Sequence, residues 1–123
     1  MILVDTSVWI DHLHHGEAAL SQALMQVRVA THPFVVGELA CGNLKNRTLI
    51  LQLLQGLPQL HQALDKEVMH FIKERGLMGR GIGYVDAHLC ASALLSGALL
   101  WTRDKRLSAV AQQLGVTWQE PVH

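Results

Sequence analysis

The chain reads as an α/β protein, a three-layer α/β/α sandwich around a mainly parallel central sheet. Three observations point there. Two short, continuously apolar runs, Ile2-Leu3-Val4 and Ala98-Leu99-Leu100-Trp101, have the composition of strands buried on both faces. Segments of helical periodicity lie between the strand candidates, and such alternation favours a parallel sheet. The 123 residues, half of them hydrophobic and 16% charged, suffice for one domain with its own core. A single domain over residues 1–123 is expected, without linker, internal repeat or low-complexity segment.

Met1 to Val4 is the first strand. Asp5-Thr6-Ser7 then offers N-cap chemistry for a helix continued by Val8, Trp9 and Leu13. Glu17 to Gln26 is a second helix and Val27-Arg28-Val29-Ala30 a second short strand. Thr31-His32-Pro33 opens the next helix, with proline near the first turn, and Gly42-Asn43 ends it. Arg47 to Gln55 is helical; a Gly56/Pro58 break and a weak strand near Leu57 to His61 follow. Asp65 to Arg75 is an amphipathic helix built on Val68, Phe71 and Ile72. Gly76 to Gly83 is a glycine-rich loop, and Tyr84 to Leu95 a helix whose Ala and Ser content suits close packing. Ala98 to Trp101 is a strand, Lys105 to Leu114 the last helix, and Val116-Thr117-Trp118 an edge strand.

Ten basic and ten acidic residues leave no net charge, which by itself argues for no polyanionic partner. Several bases nevertheless cluster: Lys73, Arg75 and Arg80 on one stretch, Arg103, Lys105 and Arg106 on another. A basic rim of that kind suits nucleic acid once acids elsewhere are neutralised; a solvated surface is the competing reading. Cys41 and Cys90 lie in apolar helical contexts without CxxC spacing and read as reduced core residues, as in the cytosol. Asp5 and Asp11 break any N-terminal apolar region that could act as a signal peptide. The uncharged run from Ala87 to Thr102 is too short for a bilayer and is split by Ser96-Gly97. A cytoplasmic protein with no membrane partner is expected.

Four acids, Asp5, Glu38, Asp86 and Asp104, occupy positions where a carboxylate adds little to folding. Asp5 and Asp104 follow predicted strands, and ligands of an open parallel sheet bind beyond the strands' carboxyl ends. Glu38 falls on the apolar stripe formed with Phe34, Val35 and Cys41, which predicts an inward carboxylate. Asp86 lies in the first turn of its helix, facing the same edge. Each acid has an ordinary explanation as helix cap, dipole partner or half of an ion pair. Together they would repel unless a cation sat among them. Oxygen ligands without an accompanying His or Cys pair favour Mg²⁺ or Mn²⁺ over Zn²⁺. No nucleophile elbow is present, so metal-assisted phosphodiester hydrolysis is the natural chemistry.

These residues resemble a known family. Ile2-Leu3-Val4-Asp5-Thr6-Ser7-Val8-Trp9-Ile10 is similar to the opening of a PIN domain, specifically of the VapC-type toxins. Pro33 to Leu39 resembles the family's second acidic block, Gly83 to Ala91 its third, and Trp101 to Leu107 its fourth, in family order. The resemblance implies a Mg²⁺- or Mn²⁺-dependent endoribonuclease, a homodimer, and neutralisation by a small VapB-type antitoxin. It makes Asp5, Glu38, Asp86 and Asp104 the catalytic and metal-binding set, with Thr102 and Ser7 as supporting residues that orient a carboxylate or water. Lys45 to Gly79 carries little family signature.

Other signals are weaker. Gly79-Arg80-Gly81-Ile82-Gly83 lacks dinucleotide-loop spacing and follows a helix, so no nucleotide cofactor is expected, although Arg80 could touch an RNA phosphate. His12, His14 and His15 are close, but no further ligand completes a zinc set. His88, two residues from Asp86, reads as a packing or surface residue. Leu49, Ile50, Leu53, Leu54 and Leu57 form an apolar stripe expected to join a groove for a partner helix. A receiver module would need an aspartate after its central strand, and none lies between Asp11 and Asp65. A haloacid-dehalogenase-like site would need an acid where Ser7 stands. The remaining alternative is a catalytically silent PIN-like module that binds RNA or protein.

Overall fold

Three short parallel strands form the centre of the computed structural model, in which residues 1–121 are described. In chain order the elements are β1 (Ile2–Val4), α1 (Thr6–His15), α2 (Ala18–Met25), β2 (Val29–Ala30), α3 (Pro33–Ala40), α4 (Arg47–Gln55), α5 (Asp65–Glu74), α6 (Tyr84–Ser96), β3 (Leu99–Trp101) and α7 (Lys105–Leu114). β1 lies between β2 and β3, with Ile2 opposite both Val29 and Leu99, and Val4 opposite Trp101. All three β1 residues are buried, which is why the strand shows no polar alternation. Helices pack around the sheet: α6 against β3, α5 and α7, and α3 against α1 and α4. The α/β sandwich expected from the sequence is present.

Two predicted strands shrink to single bridges. Leu57 to His61 contributes only Gln59, paired with Thr31, because Pro58 has no amide to extend a ladder. Val116 to Trp118 brackets Leu100 through two backbone hydrogen bonds, which leaves one bridge at Thr117. The third helix stops at Ala40 rather than Gly42, with Cys41 at its C-cap. Cys41 is consequently exposed and not a core residue, whereas Cys90 is buried.

Gly97 and Gly115 reverse the chain after α6 and α7 in the left-handed region, at φ 65° and 73°. In each case the following amide returns to the helix, Ala98 to Ala93 and Val116 to Ala111. The reversal after α6 delivers β3 into the sheet.

One buried polar network links three segments. His32 is fully buried at the start of α3, and its Nδ1 accepts the Phe34 amide at 3.0 Å. That bond puts the ring proton on Nε2, which donates to Ser92 Oγ at 3.2 Å. Ser92 Oγ also accepts the Ala63 amide at 3.0 Å. An imidazole on α3 is thereby tied to α6 and to the segment leading into α5.

Candidate active site

Asp5 is the best-ordered acid electrostatically, and local chain geometry explains its place. β1 ends at Val4, and the Asp5 amide donates to the Trp101 carbonyl, so the carboxylate leaves the sheet at its carboxyl edge beside the end of β3. The residue is only 7% exposed. Thr102 Oγ1 and Ser7 Oγ both donate to Asp5 Oδ2, at 2.8 and 3.2 Å. Those hydroxyls are themselves supplied with donors: the Asp104 amide reaches Thr102 Oγ1 and the Arg103 amide reaches Ser7 Oγ. Two hydroxyl donors thus converge on one oxygen of Asp5.

The other three acids come from three different helices or their caps. Glu38 is exposed, contrary to the inward placement expected from its stripe. Val35 and Leu39 alone supply the fully buried face of α3, and Glu38 lies outside it. Its Oε1 accepts a hydrogen bond from Thr6 Oγ1 at 3.1 Å. Partial burial pushes the carboxyl up from its ordinary range, opposed by the Thr6 bond and reinforced by the charges of Asp5 and Asp86. Asp86 Oδ2 accepts the Gly83 amide at the start of α6. Burial also pushes Asp86 up, with Asp5 and Asp104 adding to the shift against the Gly83 bond. Asp104 is exposed and caps α7 by accepting the Leu107 amide at 2.9 Å.

These mutual effects place the four carboxylates in one negative field at the sheet edge. Cys90, one turn beyond Asp86, feels it too: burial first, then Asp86 and Asp5, push its thiol up to about 12. That thiol stays protonated at neutral pH and is no nucleophile. The acids do not close into a coordination shell, since among the described residues no three His, Cys, Asp or Glu side chains are gathered tightly enough to hold an ion. The Gly83 and Leu107 amides each engage one oxygen of their acid, Asp86 and Asp104.

A divalent cation fits this donor set. Every group is a hard oxygen, and among the described residues no Lys, Arg or His forms a salt bridge with any of the four. Arg103, adjacent to Asp104 in sequence, turns its guanidinium away to Asp11, Glu17 and Glu120. Sequence reasoning missed two residues here. Thr6 was visible only as part of an N-cap run, yet it donates to Glu38 across 32 positions. Arg103 was grouped with a basic rim it does not join.

An acid-lined edge of a three-stranded parallel sheet defines a class, and comparison with known proteins agrees. The PIN-domain family model matches residues 2–113, and the chain belongs to the PIN-domain family. It is 48% identical over 123 residues to Ribonuclease VapC32 of Mycobacterium tuberculosis, covering 99% of both chains, in two strains of that organism. Two solved structures share the fold. One is PAE2754 from Pyrobaculum aerophilum, with TM-score 0.64 and 21% identity over 89% of this chain and 83% of that one. The other is FitAB bound to an IR36 DNA fragment, with TM-score 0.67 and 19% identity over the whole of both chains.

Proposed function

We infer that this protein is a VapC-type endoribonuclease, the toxic member of a toxin–antitoxin pair. The reading rests on near-full-length similarity to a ribonuclease of the PIN family. The observation that carries the chemistry is the uncompensated carboxylate cluster at the sheet edge. PIN-domain ribonucleases generally depend on a divalent metal; for this chain the oxygen-only donor set favours Mg²⁺ or Mn²⁺. Asp5, Asp86, Glu38 and Asp104 would hold it, Asp5 and Asp86 foremost. When bound, the cation supplies positive charge to the phosphodiester and acidifies water at the site.

The chain's own residues do the rest. Ser7 and Thr102 orient Asp5 through Oδ2. Among the described residues no donor reaches Asp5 Oδ1, the oxygen that a cation would take. Glu38, raised by burial and by its neighbours, is the carboxylate suited to take a proton from attacking water. Lys105 and Arg106, exposed in the first turn of α7 just after Asp104, stand ready to meet RNA phosphate. All four acids of the family pattern are intact, so a silent binding module gains no support.

The working unit is one PIN domain over residues 1–123, assembled as a homodimer and acting in the cytoplasm. Among the described residues no helix is long and apolar enough to cross a membrane. RNA-end mapping after brief expression tests the activity. New 5′ or 3′ ends at defined sites, lost on chelation and restored by Mn²⁺, are expected. Ends identical with and without expression would reject it.

A VapB-type antitoxin is the expected protein partner, and α4 offers it a surface. Leu49 and Leu53 are 55% and 60% exposed, while Leu54 is buried. Leu53 borders a cavity of about 290 Å³ lined by Trp9, Leu13, Leu24, Ile50 and Leu57. An amphipathic helix suits such a groove. Leu53→Asp is expected to weaken antitoxin binding at least about tenfold, the scale of a lost apolar anchor, without slowing cleavage by free toxin. Calorimetric titration and an RNA assay on the same preparation check both halves.

A further inference from the structure

We propose that Arg103 is a positioning residue for the acid site, a strut that fixes the Thr102–Asp104 loop against Asp5. Its guanidinium is held from three directions. Nη1 donates to Asp11 Oδ2 of α1 at 2.6 Å and to Glu17 Oε1, at the N-cap of α2, at 2.8 Å. Nε and Nη2 both reach Glu120 Oε1 in the C-terminal segment, at 2.9 and 2.8 Å. The same Glu120 oxygen accepts the Trp101 indole N–H at 2.7 Å, so one carboxylate grips two consecutive odd-numbered residues around Thr102. On the backbone side the Arg103 amide donates to Ser7 Oγ. Thr102 Oγ1, the donor to Asp5, therefore sits between two anchored neighbours.

Three carboxylates around one cation are too many for a simple ion pair. The excess is what orients the arginine: Nη1 serves Asp11 and Glu17 while Nε and Nη2 converge on one Glu120 oxygen, a fork that the point charge of lysine cannot reproduce. These contacts also remove Arg103 from the substrate. Four of its five N–H donors are spent on α1, on the N-cap of α2 and on the C-terminal segment, which commits the guanidinium to those carboxylates. The loop it braces carries Thr102, bonded to Asp5, and Asp104, bonded to Thr102 through its amide. Loosening the strut lets the Asp5 carboxylate turn, and a carboxylate that turns binds a cation less well.

The proposal rests on the metal-dependent reading above, and its test separates the two. Arg103→Lys keeps the charge without the fork. Glu120→Ala keeps the guanidinium and removes one arm at the periphery, so it serves if the first variant does not fold. Folding is checked by circular dichroism and Mn²⁺ binding by the electron paramagnetic resonance signal of the free ion. Cleavage of a short RNA is measured at saturating Mn²⁺. Mn²⁺ affinity is expected to fall roughly tenfold, the scale seen when the partner of a metal ligand is lost. The RNA KM should change less than about twofold, since Arg103 makes no substrate contact. A folded variant that binds Mn²⁺ as the wild type does overturns the role of Arg103 alone. A raised KM with unchanged Mn²⁺ affinity overturns it in favour of an RNA contact. A wild-type protein that binds no Mn²⁺ overturns the metal reading, and this proposal with it.

Discussion

Replacing Asp5 with Asn is expected to reduce RNA cleavage on the order of a thousandfold or more, the scale of removing a group that acts electrostatically at the reacting centre. The substitution conserves shape, and the amide oxygen still accepts the Thr102 and Ser7 hydroxyls that converge on Oδ2. What disappears is the one buried charge of the cluster, which is also a charge that pushes Glu38 and Asp86 upward. The variant's thermal midpoint should equal or slightly exceed that of the wild type without metal, because a repulsive neighbour has gone. With excess Mn²⁺ the wild type should gain stability and the variant should not, since only ligands that bind the native state raise the midpoint. Thermal melts at several Mn²⁺ concentrations, run beside the cleavage assay, measure both effects. Undiminished metal-dependent cleavage by the variant would remove Asp5 from the site.

Ser92→Ala should be the most damaging single-atom change in the core. The hydroxyl accepts both the Ala63 amide and the His32 ring N–H, and both donors belong to buried residues. Two orphaned buried donors cost together on the order of 3 kcal/mol, read as a shift in the denaturant midpoint at unchanged slope. A loss below about 1 kcal/mol would show that the network relaxes around the gap.

The same network makes stability fall in acid. Burial, aided by the neighbouring His88, pushes His32 down to about 4. The unfolded chain takes up this proton near the ordinary value of about 6.5, while the native state refuses it until about 4. The contribution of neutral His32 is therefore complete above pH 6.5 and declines as pH falls from there to about 4. Denaturation curves across that window check the slope, and His32→Gln, which cannot titrate, should flatten it.

Much of the architecture is legible locally. Ile2-Leu3-Val4 announces a doubly buried strand because no polar residue interrupts it, and Lys105 to Leu114 is bounded by Asp104 and Gly115, residues that cap helices by their own chemistry. Periodicity is less reliable at the edges. Glu38 shares a stripe with Phe34, Val35 and Cys41, yet a helical wheel reports only angular position, and the packing around α3 decides whether that angle faces core or solvent. Cys41 fails for a related reason: it lies past the last helical turn, where the apolar pattern no longer describes a face. Pro58, with no amide to donate, restricts Leu57 to His61 to the single bridge at Gln59.

The sequence by itself determined the four acids, their oxygen-only chemistry and the strands and helices that carry them, because these follow from residue type and near-neighbour pattern. Only the tertiary structure decided which partners those acids meet. Thr102 donates to Asp5 across 97 positions, Arg103 abandons its basic neighbours for three distant carboxylates, and His32 reaches Ser92 across 60. Such contacts arise when packing brings remote segments together, and no spacing along the chain encodes them. The acids were written in the residues; their orientation was written in the fold.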